Sequence, residues 1–224
     1  MTQSAENVSF YGRRGGTGLA GVTLGALLAL GVGSGCSKST VQDGGVDISG
    51  ASLTNGQVAQ VLKSVNDAEI AQAQIALMKY ALMDVKNYAQ RMQDDHTAAN
   101  QRQATLFQQN NITLADSAVN TTLVQHAAAN TAQLNTVGNY DLATSVQDGG
   151  VVVPDGGGNA ASLFDKTYID IQYREHDEVL TVIDTALLKA VQNEPLRNEL
   201  NTTRTAVQDH RDMAKTLRDR IGTP

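Results

Sequence analysis

Residues 88–100 read YAQRMQDDHTAAN, and this stretch decides the fold. At ~100° per residue, Ala89, Met92, His96 and Ala99 fall on one side of a helix, so a histidine preceded by two acids stands on what is otherwise an apolar stripe. Working outward, Asp84 can cap the helix, which extends to about Gln109 with Val85 and Leu106 on the same stripe. An acid followed directly by a histidine returns in Glu175-His176 and in Asp209-His210. Each of these pairs also lies in a stretch of helical periodicity.

Upstream, Thr54 with Gln57 three residues later is a capping-box pattern, and a helix runs from there to about Leu82. Its inward face carries Val58, Leu62, Val65, Glu69, Ala76 and Met83. The break before the next helix is so short that the two must form an antiparallel hairpin. Downstream, a third helix over about Leu163–Val191 turns Tyr168, Gln172, His176, Val179, Ile183, Ala186 and Ala190 to one side. Asn193 as cap, with Pro195 in the first turn, opens a fourth whose stripe is Leu196, Leu200, Val207, His210, Ala214, Leu217 and Ile221. Residues 110–162 are too many for a tight turn. They contain a shorter amphipathic piece (Val119, Leu123, Ala127, Leu134), with His126 at its packing edge, and a Gly-rich segment, 147–159. Met78, Met83, Met92 and Met213 read as core filler.

Hairpin, long crossover, hairpin is the connectivity of ferritin-like four-helix bundles, in which inward side chains build metal sites near mid-bundle. The expected fold is therefore all-α, with the bundle over 53–221. With a rise of ~1.5 Å per residue, Glu69 and His96 lie about 22 and 18 Å from the first hairpin's turn. If the crossover spans the bundle, His176 and His210 lie about 21 and 18 Å from the same end. One polar group per helix then occupies a common layer.

Composition narrows the function. The chain has 224 residues and a net charge of -6. It has no lysine-rich run, which excludes a phosphate-backbone partner held by clustered cations, so no nucleic acid is expected. Residues 1–35 read as an export signal: Arg13 and Arg14, an apolar run from Leu19 to Val32, and a small-residue exit at Gly33-Ser34-Gly35. Cys36 directly follows and resembles the lipidated cysteine of bacterial lipoproteins, which would anchor the protein to the outer membrane facing the periplasm. Gly33 stands where that pattern favours Leu, so release as a soluble periplasmic protein stays open. Residues 36–52, rich in Ser, Gly and Asp, form a flexible tether. VQDGGV at 41–46 recurs at 146–151 as shared linker composition.

Ala68-Glu69, the Arg91-Met92-x-Asp94-Asp95-His96 core, Phe164-Asp165-x-x-Tyr168-Ile169 with Glu175-His176, and Asp209-His210 together resemble a bacterial family of exported, ferritin-like proteins designated domain of unknown function four-one-four-two. The resemblance covers about Leu53 to Ile221. It implies the bundle and export, and no established activity. The Gly-rich insertion before Phe164 departs from it.

The chemistry has two readings. Glu-x-x-His, which a di-iron carboxylate centre requires on two helices, is absent: Gln93, Tyr173 and Val207 precede the three histidines at that spacing. Glu69, His96, His176 and His210 suit a single ion instead, with Zn, Cu or Fe all compatible with imidazole-rich ligation. Asp95, Glu175 and Asp209, one position off their own histidines, can orient histidines on neighbouring helices. The second reading is a hydrogen-bonded layer that fixes helix register and binds nothing. No nucleophile arrangement and no phosphate-binding glycine motif points to an enzyme. A protein partner or a second copy of the chain stays open.

Overall fold

Thr54 starts the bundle as the sequence leads one to expect. Its hydroxyl accepts from the Gln57 N–H at 3.3 Å, and the Gln57 amide oxygen accepts from the Thr54 N–H at 2.9 Å. The computed structural model of the chain describes residues 52–138 and 160–224, all within one unit, Gln42–Pro224. The expected export signal (1–35), Cys36, nearly all of the expected tether and the Gly-rich segment 147–159 lie outside the described residues. The described residues are helical: α1 Asn55–Lys79, α2 Met83–Gln109, α3 Ala118–Thr136, α4 Leu163–Val182, a π-helical turn Ile183–Leu187 leading into the short α5 Leu188–Ala190, and α6 Glu194–Ile221. Among them no helix is long and apolar enough to cross a membrane.

α1 packs chiefly on α2, and α4 chiefly on α6. Both pairs are antiparallel: Asn66 and Asp67 of α1 bond Asn100 of α2, while Asp170 of α4 bonds Arg218 and Asp184 bonds Arg204 of α6. The chain therefore makes two hairpins joined by a long crossover. That crossover does span the bundle. Ala115 donates to the Gly56 carbonyl at the start of α1, and Lys79 at its end donates to the carbonyls of Leu134, Asn135 and Val137. α3 is thus a fifth helix lying along α1 and touching α4, longer than the short piece expected from its stripe. Gly56 permits this approach, since a Cβ there would stand 2.2 Å from the Thr113 carbonyl oxygen. Asn111, at φ 52°, reverses the chain after α2; asparagine tolerates that left-handed conformation better than most residues.

Three local expectations are corrected. α1 stops at Lys79, and Asp84 is not the cap of α2: Leu82 occupies the cap position and offers no side-chain acceptor. The acceptor comes from far along the chain. The fully buried Asp165 carboxylate receives the N–H groups of Ala81 and Leu82 at 3.0 and 3.2 Å, while also bonding the Ser162 N–H and hydroxyl. Met78 and Met83 are exposed at the hairpin turn and fill no core, unlike the fully buried Met92. Finally, the helix after His176 widens into a π turn, which lets Val182, Ile183, Ala186 and Leu187 all face inward.

The core comes in two apolar halves. One gathers Val58, Leu62, Phe107, Ile183, Leu196 and Leu200; the other gathers Val85, Tyr88, Met92, Phe164, Tyr168 and Ile169. Between them lies a belt of buried polar side chains. Burying such groups costs free energy unless each finds a partner, so how the belt is satisfied indicates what it is for.

Candidate metal centre

Helical periodicity brings His96 (α2), His176 (α4) and His210 (α6) into that belt, each at most 4% exposed. Their ring centroids lie 5.2 to 6.0 Å apart. One ring nitrogen from each lies within 4.8 Å of the other two.

Every ring is held from outside by one nitrogen. His176 Nδ1 meets the Gln172 backbone carbonyl at 2.8 Å, and a carbonyl only accepts, so Nδ1 carries the proton. His210 Nε2 meets the Asp95 carboxylate at 2.9 Å. Burial pushes the Asp95 carboxyl upward, but hydrogen bonds from His210 and Arg91 outweigh it and hold the group below its ordinary value. It is therefore a carboxylate accepting an N–H. His96 Nδ1 meets the Asn66 amide oxygen at 2.9 Å, and the orientation of that amide is set by its nitrogen, which donates to Asn100 at 3.1 Å and Gln103 at 2.9 Å. The remaining nitrogens, His96 Nε2, His176 Nε2 and His210 Nδ1, are buried and lack any hydrogen-bond partner among the described residues.

Burial, reinforced by the neighbouring imidazoles, holds His96 well below its ordinary value. Burial lowers His176 to about 4 against the Gln172 carbonyl, which acts the other way. Burial and His176 lower His210 to about 4 despite Asp95. All three rings are neutral at pH 7, with lone pairs free to bind a cation. If the three close-set nitrogens are the ligands, an ion central to them lies at most about 2.8 Å from each, against ~2.0–2.1 Å for Zn–N, so the rings need to close by less than about 1 Å.

Glu69 shares the belt but not this cluster. Its Oε1 is 3.7 Å from His176 Nδ1, the nitrogen that faces Gln172, which is too long for a hydrogen bond. Burial raises its carboxyl to about 7, so this contact with a neutral imidazole is not an ion pair. Glu175 meets no imidazole. It accepts from Gln72 at 2.9 Å and Asn130 at 2.8 Å, and burial together with the Glu69 charge raises it to about 8. Asp209 is exposed on the outer side of α6. Of the three acids next to a histidine, only Asp95 orients a ring, and that ring belongs to the neighbouring helix. His126 is half-buried outside the cluster, 2.9 Å from Glu178.

Asn66 and the Gln172 carbonyl are site components that the sequence reading did not single out. Asn66 had a signal, standing three residues before Glu69 on the same inward face. The carbonyl had none, since every helix offers one four residues back.

An all-α bundle with a buried, outward-anchored trio of imidazoles is the class of protein this geometry defines. The domain of unknown function DUF4142 matches residues 47–142 and 158–217, and the chain belongs to that family. No curated protein and no solved structure matches it.

Proposed function

We propose that the protein is an exported, envelope-located bundle that binds one transition-metal ion through His96, His176 and His210. The observation that carries this is the trio of unpartnered, buried imidazole nitrogens, each belonging to a ring whose other nitrogen is anchored from outside. A layer meant only to fix helix register would pair its polar atoms with one another, because an unsatisfied buried acceptor costs about 1–3 kcal/mol. Here the side of each ring that could pair does so, and the inward side is left with acceptors alone. A cation satisfies three acceptors at once. Anchoring of metal-bound imidazoles by carboxylate, amide or carbonyl is the usual supporting arrangement around such ions. Three neutral nitrogens suit Zn, Cu or Fe and do not choose among them. Glu69 acts on the flank of His176 in this reading, and Asp95 and Asn66 act as positioning residues.

The address rests on the sequence: the apolar run ahead of Cys36 supports export, with lipidation at Cys36 and anchorage in the outer membrane facing the periplasm.

Thermal melting of the full chain tests the metal. An ion that binds only the folded state adds about 2.7 kcal/mol at a hundredfold excess over Kd. Zn or Cu should therefore raise Tm, His96→Ala should remove most of the rise, and His126→Ala should leave it intact. A Tm indifferent to metal, or a rise that survives His96→Ala, would overturn the assignment.

A further inference from the structure

The partners that anchor the three rings differ in kind. The Gln172 carbonyl and the Asp95 carboxylate only accept, so they fix the tautomers of His176 and His210 outright. His96 meets an amide, and an amide can turn either its oxygen or its nitrogen to a ring. Left to itself, the cluster would favour the other choice. Each ring keeps a buried nitrogen without a partner, and moving the His96 proton from Nδ1 to Nε2 would place a donor among acceptors that have none.

A hydrogen-bonded chain in two branches opposes that shift. The Asn66 amide nitrogen donates to Asn100 Oδ1 at 3.1 Å and to Gln103 Oε1 at 2.9 Å. Asn100 donates in turn to the Asp67 carboxylate at 2.8 Å, and Gln103 to the Glu199 carboxylate at 3.3 Å. Asp67 is paired with Lys63 and Glu199 with Arg102. The Thr203 hydroxyl, 3.4 Å from Gln103 Nε2, can donate or accept and decides nothing. Both branches therefore finish on groups that only accept. Turning the Asn66 nitrogen toward His96 requires all three amides to turn together, and each branch then ends with oxygen against oxygen.

We propose that Asp67 and Glu199 are positioning residues of the site, acting through Asn100, Gln103 and Asn66 to hold His96 in the tautomer whose inward nitrogen carries a lone pair. The tautomer stands apart from the metal reading above, while its use to an ion rests on that reading. Neither carboxylate touches a ring. Each sets the direction of a row of amides, and the row ends at the one imidazole whose immediate partner could face either way.

Nitrogen NMR of the metal-free full chain with isotope-labelled histidine tests this, with the His96 signals assigned by their loss in His96→Ala. The expected proton position in the parent is Nδ1. Asp67→Asn combined with Glu199→Gln keeps the shapes and lets both ends turn, so the proton should move at least in part to Nε2. Zn affinity should then fall by at least about tenfold. Adding Asn66→Asp, which sets an obligate acceptor directly against the ring, should return the proton to Nδ1. A parent His96 protonated at Nε2 overturns the proposal, and so does a double variant whose His96 stays protonated at Nδ1. A moved proton with unchanged Zn affinity overturns the service to the ion. A parent chain that binds no zinc removes the metal reading, and the tautomer shift alone still decides the relay.

Discussion

The titrating groups of the belt pull stability in opposite directions. The carboxyls of Glu69 and Glu175 are raised from 4.5 to about 7 and about 8, so their contribution is fully present below about pH 4.5 and is lost as pH rises through 7 to 8. His176 and His210 are depressed from 6.5 to about 4, so theirs is present above about pH 6.5 and is lost as pH falls toward 4. The opposing terms roughly cancel between about pH 4.5 and 6.5, so the metal-free chain should melt highest at mildly acidic pH and lower on both sides of that window. Glu175→Gln keeps an acceptor for Gln72 and Asn130 and removes the ionisation. It should flatten the alkaline limb of Tm against pH and leave the acid limb in place; an unchanged alkaline limb would show that Glu175 is not the group responsible. The histidines were legible in the sequence because helical spacing fixes which face a residue takes. The role of Glu69 was not. Periodicity places the side chain on the inward face but does not say which edge of a neighbouring imidazole it meets, and here the Gln172 carbonyl has turned Nδ1 of His176 toward it.

Among the elements, the termini show where local reading stops. The starts of α1 and α6 were readable because their caps are local: Thr54 with Gln57, and Asn193, whose side chain accepts from the Leu196 N–H at 2.9 Å. The start of α2 was not, because its acceptor is Asp165, more than eighty positions along the chain and brought there only by tertiary packing. Asp165 also closes the capping box of α4 with Ser162, so one buried carboxylate fixes two helix starts at the same end of the bundle. Asp165→Ala should lower stability by about 3 kcal/mol or more, since several N–H groups lose an acceptor in a dry environment. Chemical denaturation of the full chain measures this, and a loss under about 1 kcal/mol would mean that water replaces the carboxylate. The π turn after Val182 escaped the periodicity for a related reason: the buried apolar residues there come in adjacent pairs, Val182-Ile183 and Ala186-Leu187, and a 3.6-residue repeat cannot turn both of each pair fully inward.

For the whole molecule, the order of helices and the polar belt between two apolar halves follow from stripes that span almost every turn. The length of α3 does not, because polar residues interrupt its apolar stripe: Asn120 is buried and Asn130 donates to the buried Glu175, so its inward face is not read from hydrophobic spacing alone. Location is a separate matter and rests on reading residues 1–35 as an export signal. If Cys36 is lipidated, labelled fatty acid should follow the protein into the membrane fraction, and Cys36→Ser should abolish the label; label retained by that variant would refute lipidation there. The central claim is that three imidazoles from three helices hold one ion, and X-ray absorption at the metal edge of the Zn-loaded full chain tests it most directly. The account predicts three imidazole nitrogens at about 2.0–2.1 Å, falling to two in His176→Ala. A coordination shell of oxygen alone, or one unchanged by replacing His96, His176 or His210, would contradict it.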